Sequence, residues 1–190
     1  MAGGNSRYDA IRSVLELGLV PAAVLRELAG RSSRGSVTRV LAMRDKHLQR
    51  RLVRGAGVPT AACEVLEAQT ALDPGATAFP KVLKPLDGGA RHTYLLTDEK
   101  CAHECVELAR AGGPGPWLLE EYIHGIEFQV DGFVRHGETR AVLSASRCLQ
   151  NLIEVHEGEI VAHVVLPPVE YPGLYEEIRA VAETSLQALE

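Results

Sequence analysis

Residues 119–127 read Leu-Glu-Glu-Tyr-Ile-His-Gly-Ile-Glu, an apolar strand that ends in two carboxylates, turns at Gly125 and resumes with Glu127. Beyond the turn apolar and polar residues alternate, so one set of side chains should face a core and Glu127 a cleft. A carboxylate there can accept two hydroxyl hydrogens, as a ribose offers, while the backbone of 121–123 is free to meet an adenine edge. The stretch therefore predicts a site that binds both the adenine and the ribose of a nucleoside, although glutamates before a turn are more often plain solvated residues.

Support for this prediction lies upstream. Residues 79–85 read Phe-Pro-Lys-Val-Leu-Lys-Pro, and 87–92 read Asp-Gly-Gly-Ala-Arg-His. A strand that delivers Lys84 at its end, beside a loop containing Gly88 and Gly89, offers a point charge and open backbone N–H groups to phosphate oxygens. The spacing is not a Walker A loop, because no glycine-lysine-serine or glycine-lysine-threonine run opens a helix, and it does not match a dinucleotide fingerprint either.

A third element is Lys46, which follows an arginine and an aspartate at the start of a predicted helix. This helix is expected to turn Leu48, Leu52 and Val53 inward and to end at the Gly-Val-Pro of residues 57–59. Lys46 is therefore expected to be held at a helix start.

These three elements, in this order, resemble the ATP-grasp superfamily of carboxylate-amine and carboxylate-thiol ligases, from about Arg44 to the end of the chain. Residues 127–133 also look like the amino-acid ligase and carbamoyl-phosphate-synthase-like branches. The resemblance implies one ATP site that draws on all three elements. Its implied contacts are Lys46 and Lys84 with the phosphates, Gly88 and Gly89 in the loop that closes over them, Glu120, Glu121, Tyr122 and Ile123 with adenine, and Glu127 with the ribose hydroxyls.

The expected fold class is α+β and ATP-grasp-like, in three parts. An N-terminal helical segment and loop cover 1–43, a small α/β lobe covers 44–123, and an incomplete antiparallel β-rich large lobe covers 124–190. Strands are predicted near 64–66, 81–84, 94–96, 117–122, 126–134, 139–146 and 160–166, and helices over 8–17, 21–29 and 171–189 and from an N-cap at Thr97.

Two departures from the family bear on function. Residues 90–94 read Ala-Arg-His-Thr-Tyr, where relatives usually have a small residue and a further glycine, so bulk replaces much of the loop's flexibility. Relatives also bind magnesium through acidic residues and an asparagine on strands after a helix that resembles 171–189. These strands have no counterpart here, and neither has the α/β domain that usually comes first, so the chain is expected to be truncated at both ends.

The enzyme question stays open at this stage. Magnesium is expected for the complete family domain, but no metal ligand and no catalytic residue is assigned here. The nearest acidic and amide candidates, over 151–157, include a predicted hairpin tip whose charges are ordinarily solvated. In the family reaction a small-molecule carboxylate becomes an acyl phosphate that an amine or similar nucleophile attacks. The alternative is a non-catalytic nucleotide-binding or interaction module with a degenerate ATP-grasp fold.

Composition narrows the other possibilities. The 190 residues are 46% hydrophobic and 24% charged, with a net charge of -5, so there is no basic excess to suggest nucleic acid. No apolar run approaches the ~20 residues of a membrane span, and the early charges exclude a signal peptide, which makes the cytoplasm the expected location. Self-association through the incomplete lobes is a further possibility. Cys101 and Cys105 share a helix face with Leu108, which favours core packing over zinc or a disulfide.

Overall fold

The chain is described by a computed structural model in eight ranges, which are 10–31, 37–67, 78–87, 92–113, 115–135, 138–148, 163–165 and 167–189. A short 3-10 helix, Glu16–Gly18, precedes the longer elements. The α-helices are α1 (Leu19–Leu28), α2 (Val37–Ala42), α3 (Lys46–Gly55), α4 (Glu99–Gly112) and α5 (Pro172–Ala188). The strands are β1 (Cys63–Leu66), β2 (Lys81–Pro85), β3 (Tyr94–Leu96), β4 (Trp117–Glu121), β5 (Phe128–Arg135), β6 (Glu138–Cys148) and β7 (His163–Val165).

Two antiparallel sheets organise these elements. The first has the strand order β1-β4-β2-β3, and the second has the order β5-β6-β7. Helices combined with antiparallel sheets confirm the predicted α+β class. The predicted domain boundaries at 43/44 and 123/124 stay predictions, and the predicted hairpin tip at 157–158 lies outside the described residues.

The main apolar core lies between the first sheet and α4. Alternation along β2 and β4 turns Leu83, Trp117 and Leu119 toward the small residues of α4. The buried members of this cluster are Leu66, Leu83, Leu96, Ala102, Val106, Ala109, Trp117 and Leu119. Burial of this face fixes the direction in which the remaining residues of both strands point.

The start of α4 differs from the prediction by one residue. Asp98, rather than Thr97, is the N-cap, and its carboxylate accepts a hydrogen bond from the Cys101 backbone N–H at 2.9 Å. This bond, more than any other cause, holds the pKa of Asp98 below its ordinary value. An ionised carboxylate is the better cap because it also interacts favourably with the positive end of the helix dipole.

The buried face of α4 also differs in one residue. Leu108, expected beside the two cysteines, is 57% exposed, because Ala102, Val106 and Ala109 form the face that meets the sheet. Cys105 packs against this core, as predicted, and burial raises the pKa of its thiol to about 11. Cys101 and Cys105 both remain outside disulfides.

The N-terminal segment was predicted less well. A helix over 8–17 is wrong for its described part, since 10–15 are not helical and the 3-10 helix begins only at Glu16. The Ser13 hydroxyl accepts from the Leu15 N–H at 3.2 Å, and such a local bond competes with helical pairing. The second predicted helix is confirmed as α1, which ends at Leu28 and is followed by Gly30 with φ 66. Helix α2 was not predicted at all.

Helix α3 begins and ends where the sequence places it. Asp45 caps it by accepting from the Leu48 N–H at 2.9 Å, and Gly57 (φ 83) ends it in a left-handed turn. Leu52, however, is 40% exposed, so its predicted inward orientation is wrong. It follows Arg50 by about 200° around the helix, which places it opposite the face that meets the first sheet.

Within the described ranges, no helix combines the length and the apolar character that a bilayer crossing requires.

Replacing Leu83 by alanine should lower the free energy of unfolding by about 2 to 5 kcal/mol, because its side chain is 0% exposed and a cavity would remain. Urea denaturation followed by Trp117 fluorescence measures the loss. Leu108→Ala is the matched control, and a change below about 0.5 kcal/mol is expected for that exposed residue. Equal losses at both positions would contradict this placement of the core.

Candidate functional site

The face of the first sheet that points away from α4 carries Lys84 and Glu120. On this face Val82 pairs with Glu120, and Lys84 pairs with Leu118, across the antiparallel β2–β4 register. Lys84 and Glu120 are therefore diagonal neighbours, within reach of one another across the two strands. Val82 and Leu118 are buried beside them, so both charges lie in apolar surroundings.

Lys84 and Glu120 form a direct ion pair. The Lys84 Nζ donates to Glu120 Oε1, and the two side chains are only 16% and 8% exposed. Taking a charge out of water is costly unless a partner compensates it. The ion pair therefore holds both side chains in place, because each charge compensates the other.

Arg50 is a second cation at the same carboxylate, and sequence analysis missed it. Its Nε lies 3.5 Å from Glu120 Oε2. Among the described residues both of these atoms are buried without a hydrogen-bond partner, so the ion pair is close but not hydrogen-bonded. The sequence contains one indication that Arg50 belongs to this site: it follows Lys46 by four residues and therefore lies on the same face of α3.

Lys46 stands at the first position of α3 and is attached to the end of β2. Its backbone N–H donates to Leu86 O and its Nζ donates to Pro85 O, each at 3.0 Å. The pKa of Lys46 is lowered, first by burial and then by the positive charge of Lys84. The ammonium group of Lys46 therefore lies beside the end of β2, within the electrostatic influence of Lys84, and an anion would relieve their repulsion.

Arg44 connects the N-terminal segment to this corner. Its guanidinium donates to Glu16 O at 3.1 Å and forms ion pairs with Glu16 Oε1 at 3.8 Å and Asp87 Oδ2 at 4.0 Å. Asp87 is mostly exposed, so its pair with Arg44 adds little stability. The predicted phosphate-loop residues Gly88 and Gly89 come directly after it and lie outside the described residues, as do the metal candidates at 151–157.

The predicted adenine-binding stretch, residues 120–123, begins within the last two residues of β4 and continues beyond it. The Glu121 N–H, predicted to be free, instead donates to Ala62 O at 2.9 Å, because β1 pairs along this side of β4. The Glu121 carboxylate also accepts from the Ala62 N–H at 3.0 Å. Tyr122 is half-buried and Ile123 is 64% exposed, so the remaining backbone of the stretch reaches the surface.

Beyond Gly125, alternation begins later than predicted. Ile126, expected in a core, is 57% exposed and lies before β5 begins at Phe128. Within β5, Phe128 is half-buried and Gln129 exposed, as the alternation predicts. Glu127 is half-buried directly before the strand. Its predicted ribose contact stays a prediction.

Glu120→Gln should lower the free energy of unfolding by about 2 kcal/mol, because it leaves Lys84 and Arg50 in an apolar region without their counter-charge. Thermal and urea unfolding at neutral pH measure the change. Glu121→Gln is the control, since that residue is exposed and glutamine can still accept from Ala62. A Glu120 variant as stable as the unaltered chain would show that the ion pairs contribute nothing.

Comparison with known proteins gives a consistent set of relatives. No family model matches the chain. A curated relative, N5-carboxyaminoimidazole ribonucleotide synthase from Synechococcus elongatus, is 28% identical over 177 residues, which is 90% of this chain. The chain spans 42% of the length of that relative.

Solved structures agree in fold. An L-amino acid ligase from Bacillus licheniformis has a TM-score of 0.70 at 18% identity, covering 96% of this chain and 42% of its own. An ADP complex of N5-carboxyaminoimidazole ribonucleotide synthetase has a TM-score of 0.69 at 18% identity, over 95% and 47%. A Bacillus anthracis D-alanine–D-alanine ligase complexed with ATP has 0.63 at 18%, over 89% and 53%. The chain therefore has the ATP-grasp fold of these ligases, which confirms the resemblance drawn from its sequence.

Proposed function

We propose that this chain binds ATP as the nucleotide-holding part of an ATP-grasp ligase. The ligase would activate a small-molecule carboxylate as an acyl phosphate for attack by an amine or a similar nucleophile. One observation carries the proposal: Lys46, distant in sequence from Lys84, donates through its Nζ to Pro85 O, directly after Lys84 on β2, and the charge of Lys84 helps to lower the pKa of Lys46. The ADP and ATP complexes of two relatives of the same fold support the choice of ligand.

The phosphates belong at this pair of ammonium groups. A chain with a net charge of -5 repels a nucleotide triphosphate overall, so local cations have to supply the attraction. Charge-assisted hydrogen bonds from two lysines contribute about 1.5 to 3 kcal/mol each. The backbone N–H groups of Gly88 and Gly89 would complete the phosphate contacts from the loop that follows Asp87.

The nucleoside belongs at the end of β4. Adenine would meet Glu120 and the backbone from Glu121 through Ile123, apart from the Glu121 N–H that already pairs with Ala62. Glu127 would accept from the two ribose hydroxyls.

Magnesium, expected for the family reaction, is given no ligand in this chain. The described ranges contain no group of three or more histidine, cysteine, aspartate or glutamate side chains arranged to hold a metal ion. The proposed role of Lys46 and Lys84 is to bind and orient the nucleotide: they would hold the phosphates and stabilise the negative charge that develops during phosphoryl transfer.

A second candidate function, a non-catalytic nucleotide-binding module, is favoured by His92. This residue has φ 61, a conformation that favours glycine, and a Cβ at Gly112 would lie 3.4 Å from its Nδ1. Its ring thus lies against the end of α4, and a bulky residue occupies a glycine-like position at the end of the phosphate loop. ATP binding without ATP turnover, in the presence of magnesium and candidate carboxylates, would favour the module over the ligase.

Lys84→Met should weaken ATP binding about 10- to 100-fold, because it keeps much of the side-chain stem but removes one charge-assisted bond to phosphate. Calorimetric titration at fixed ionic strength measures the affinity. Lys81→Met is the matched control, since Lys81 lies on the same strand but its alternation places it on the opposite face. Unchanged ATP affinity in Lys84→Met would show that this lysine does not bind the phosphates.

A separate measurement tests the nucleotide-binding proposal itself. No rise in the melting temperature of the unaltered chain at millimolar ATP would reject it.

Glu127→Gln should weaken ATP and adenosine by the same factor, about 3- to 10-fold, because both ligands carry the ribose that this carboxylate is proposed to bind. Parallel titrations with the two ligands give the ratio. A loss confined to ATP would contradict the ribose role and point to a phosphate contact instead.

A further inference from the structure

We infer that Arg50 is a positioning residue that takes over the Glu120 carboxylate when Lys84 turns toward the nucleotide phosphates. This inference rests on the proposed function and extends it to a residue that neither the sequence motifs nor the resemblance includes. Its basis is the presence of two cations at one buried carboxylate, of which only one is hydrogen-bonded.

The argument begins with the burial of Glu120. Its side chain is 8% exposed, so an ionised carboxylate there needs a counter-charge at every stage of binding. Lys84 provides it through its bond to Oε1. If Lys84 left to bind phosphate with nothing to replace it, the cost of the uncompensated carboxylate would be subtracted from the ATP affinity.

Arg50 is placed to prevent that cost. Its Nε is 3.5 Å from Oε2, and both atoms are buried without a hydrogen-bond partner among the residues described. A movement of about 0.7 Å would bring them to the length of a charge-assisted hydrogen bond. Since a guanidinium stays protonated throughout the accessible pH range, the replacement charge is always available.

The position of α3 keeps Arg50 there. Lys46, one helical turn earlier on the same face, is attached to the end of β2 through Pro85 O and Leu86 O. The helix therefore presents one cation to the phosphates and the next to Glu120. The exchange needs only side-chain movement, because both backbones are already fixed.

Arg50→Gln should weaken ATP binding about tenfold, since Lys84 then remains the sole counter-ion of Glu120, while adenosine affinity changes less than about twofold. Arg51→Gln is the matched control: it removes the same charge from an exposed neighbouring position of α3 and should leave both affinities unchanged. Arg50→Lys, which keeps the charge, should restore ATP affinity to within about threefold of the unaltered chain.

A double-mutant cycle separates positioning from simple packing. In a Glu120→Gln background the effect of Arg50→Gln on ATP affinity should disappear, because no carboxylate remains to be neutralised. An equal loss for ATP and adenosine, or a loss that persists in that background, would overturn the inference. So would indistinguishable Arg50→Gln and Arg51→Gln variants in a chain that binds ATP, and this result would leave the proposed function standing. Absence of ATP binding by the unaltered chain would overturn both.

NMR of the unaltered chain tests the same exchange if Arg50→Gln fails to fold. The Arg50 Nε–H resonance, assigned with Arg50→Lys, should shift downfield and exchange more slowly with solvent when ATP is added, but not when adenosine is added. A resonance that ATP leaves unchanged would overturn the inference.

Discussion

Burial of the Glu120 carboxylate is the constraint on which the rest of the site depends. The residue lies on a central strand of the first sheet, beside Val82 and Leu118, where water cannot stabilise its charge. Cations from two other elements therefore have to reach it, Lys84 from β2 and Arg50 from α3. These pairs require α3 to lie near that face of the sheet. The same requirement brings the first residue of α3 to the end of β2.

This arrangement places positive charge where it is unfavourable without a ligand. Lys46 and Lys84 repel one another, and burial adds to the effect by lowering the pKa of Lys46. The carbonyl of Pro85 and the carboxylate of Glu120 hold the two ammonium groups against that repulsion. An anion that binds between them would regain part of this energy, because folding has already fixed the backbones that carry the two lysines. Preorganisation of this kind favours polyphosphates over a nucleoside alone.

The sequence predicts the parts of the site that depend on local patterns and misses those that depend on packing between elements. The extent of the predicted strand over 81–84 places Lys84 at the end of β2, and the predicted start of the helix after Asp45 places Lys46 at a helix start. Arg50 could not be assigned in this way, since an arginine on a polar helix usually lies in solvent. The same limit explains Leu52, whose orientation depends on which face of α3 the buried charges attract. The Glu121 N–H was mispredicted because its pairing with Ala62 depends on where β1 joins the sheet.

The two faces of the β2–β4 pair thus have different roles, one in the apolar core and one in the charged site. Side-chain alternation along the strands couples the two faces. Leu83 and Leu119 pack against α4 and supply stability that does not depend on charge. Lys84 and Glu120, each one residue further along the same strands, are thereby forced onto the opposite face. A shift of either strand by one residue would bury a charge in the apolar core and move a leucine to the face that carries Lys84 and Glu120. The apolar core therefore fixes the register in which the charged site can form, so the fold and the charged site depend on the same strand pairing.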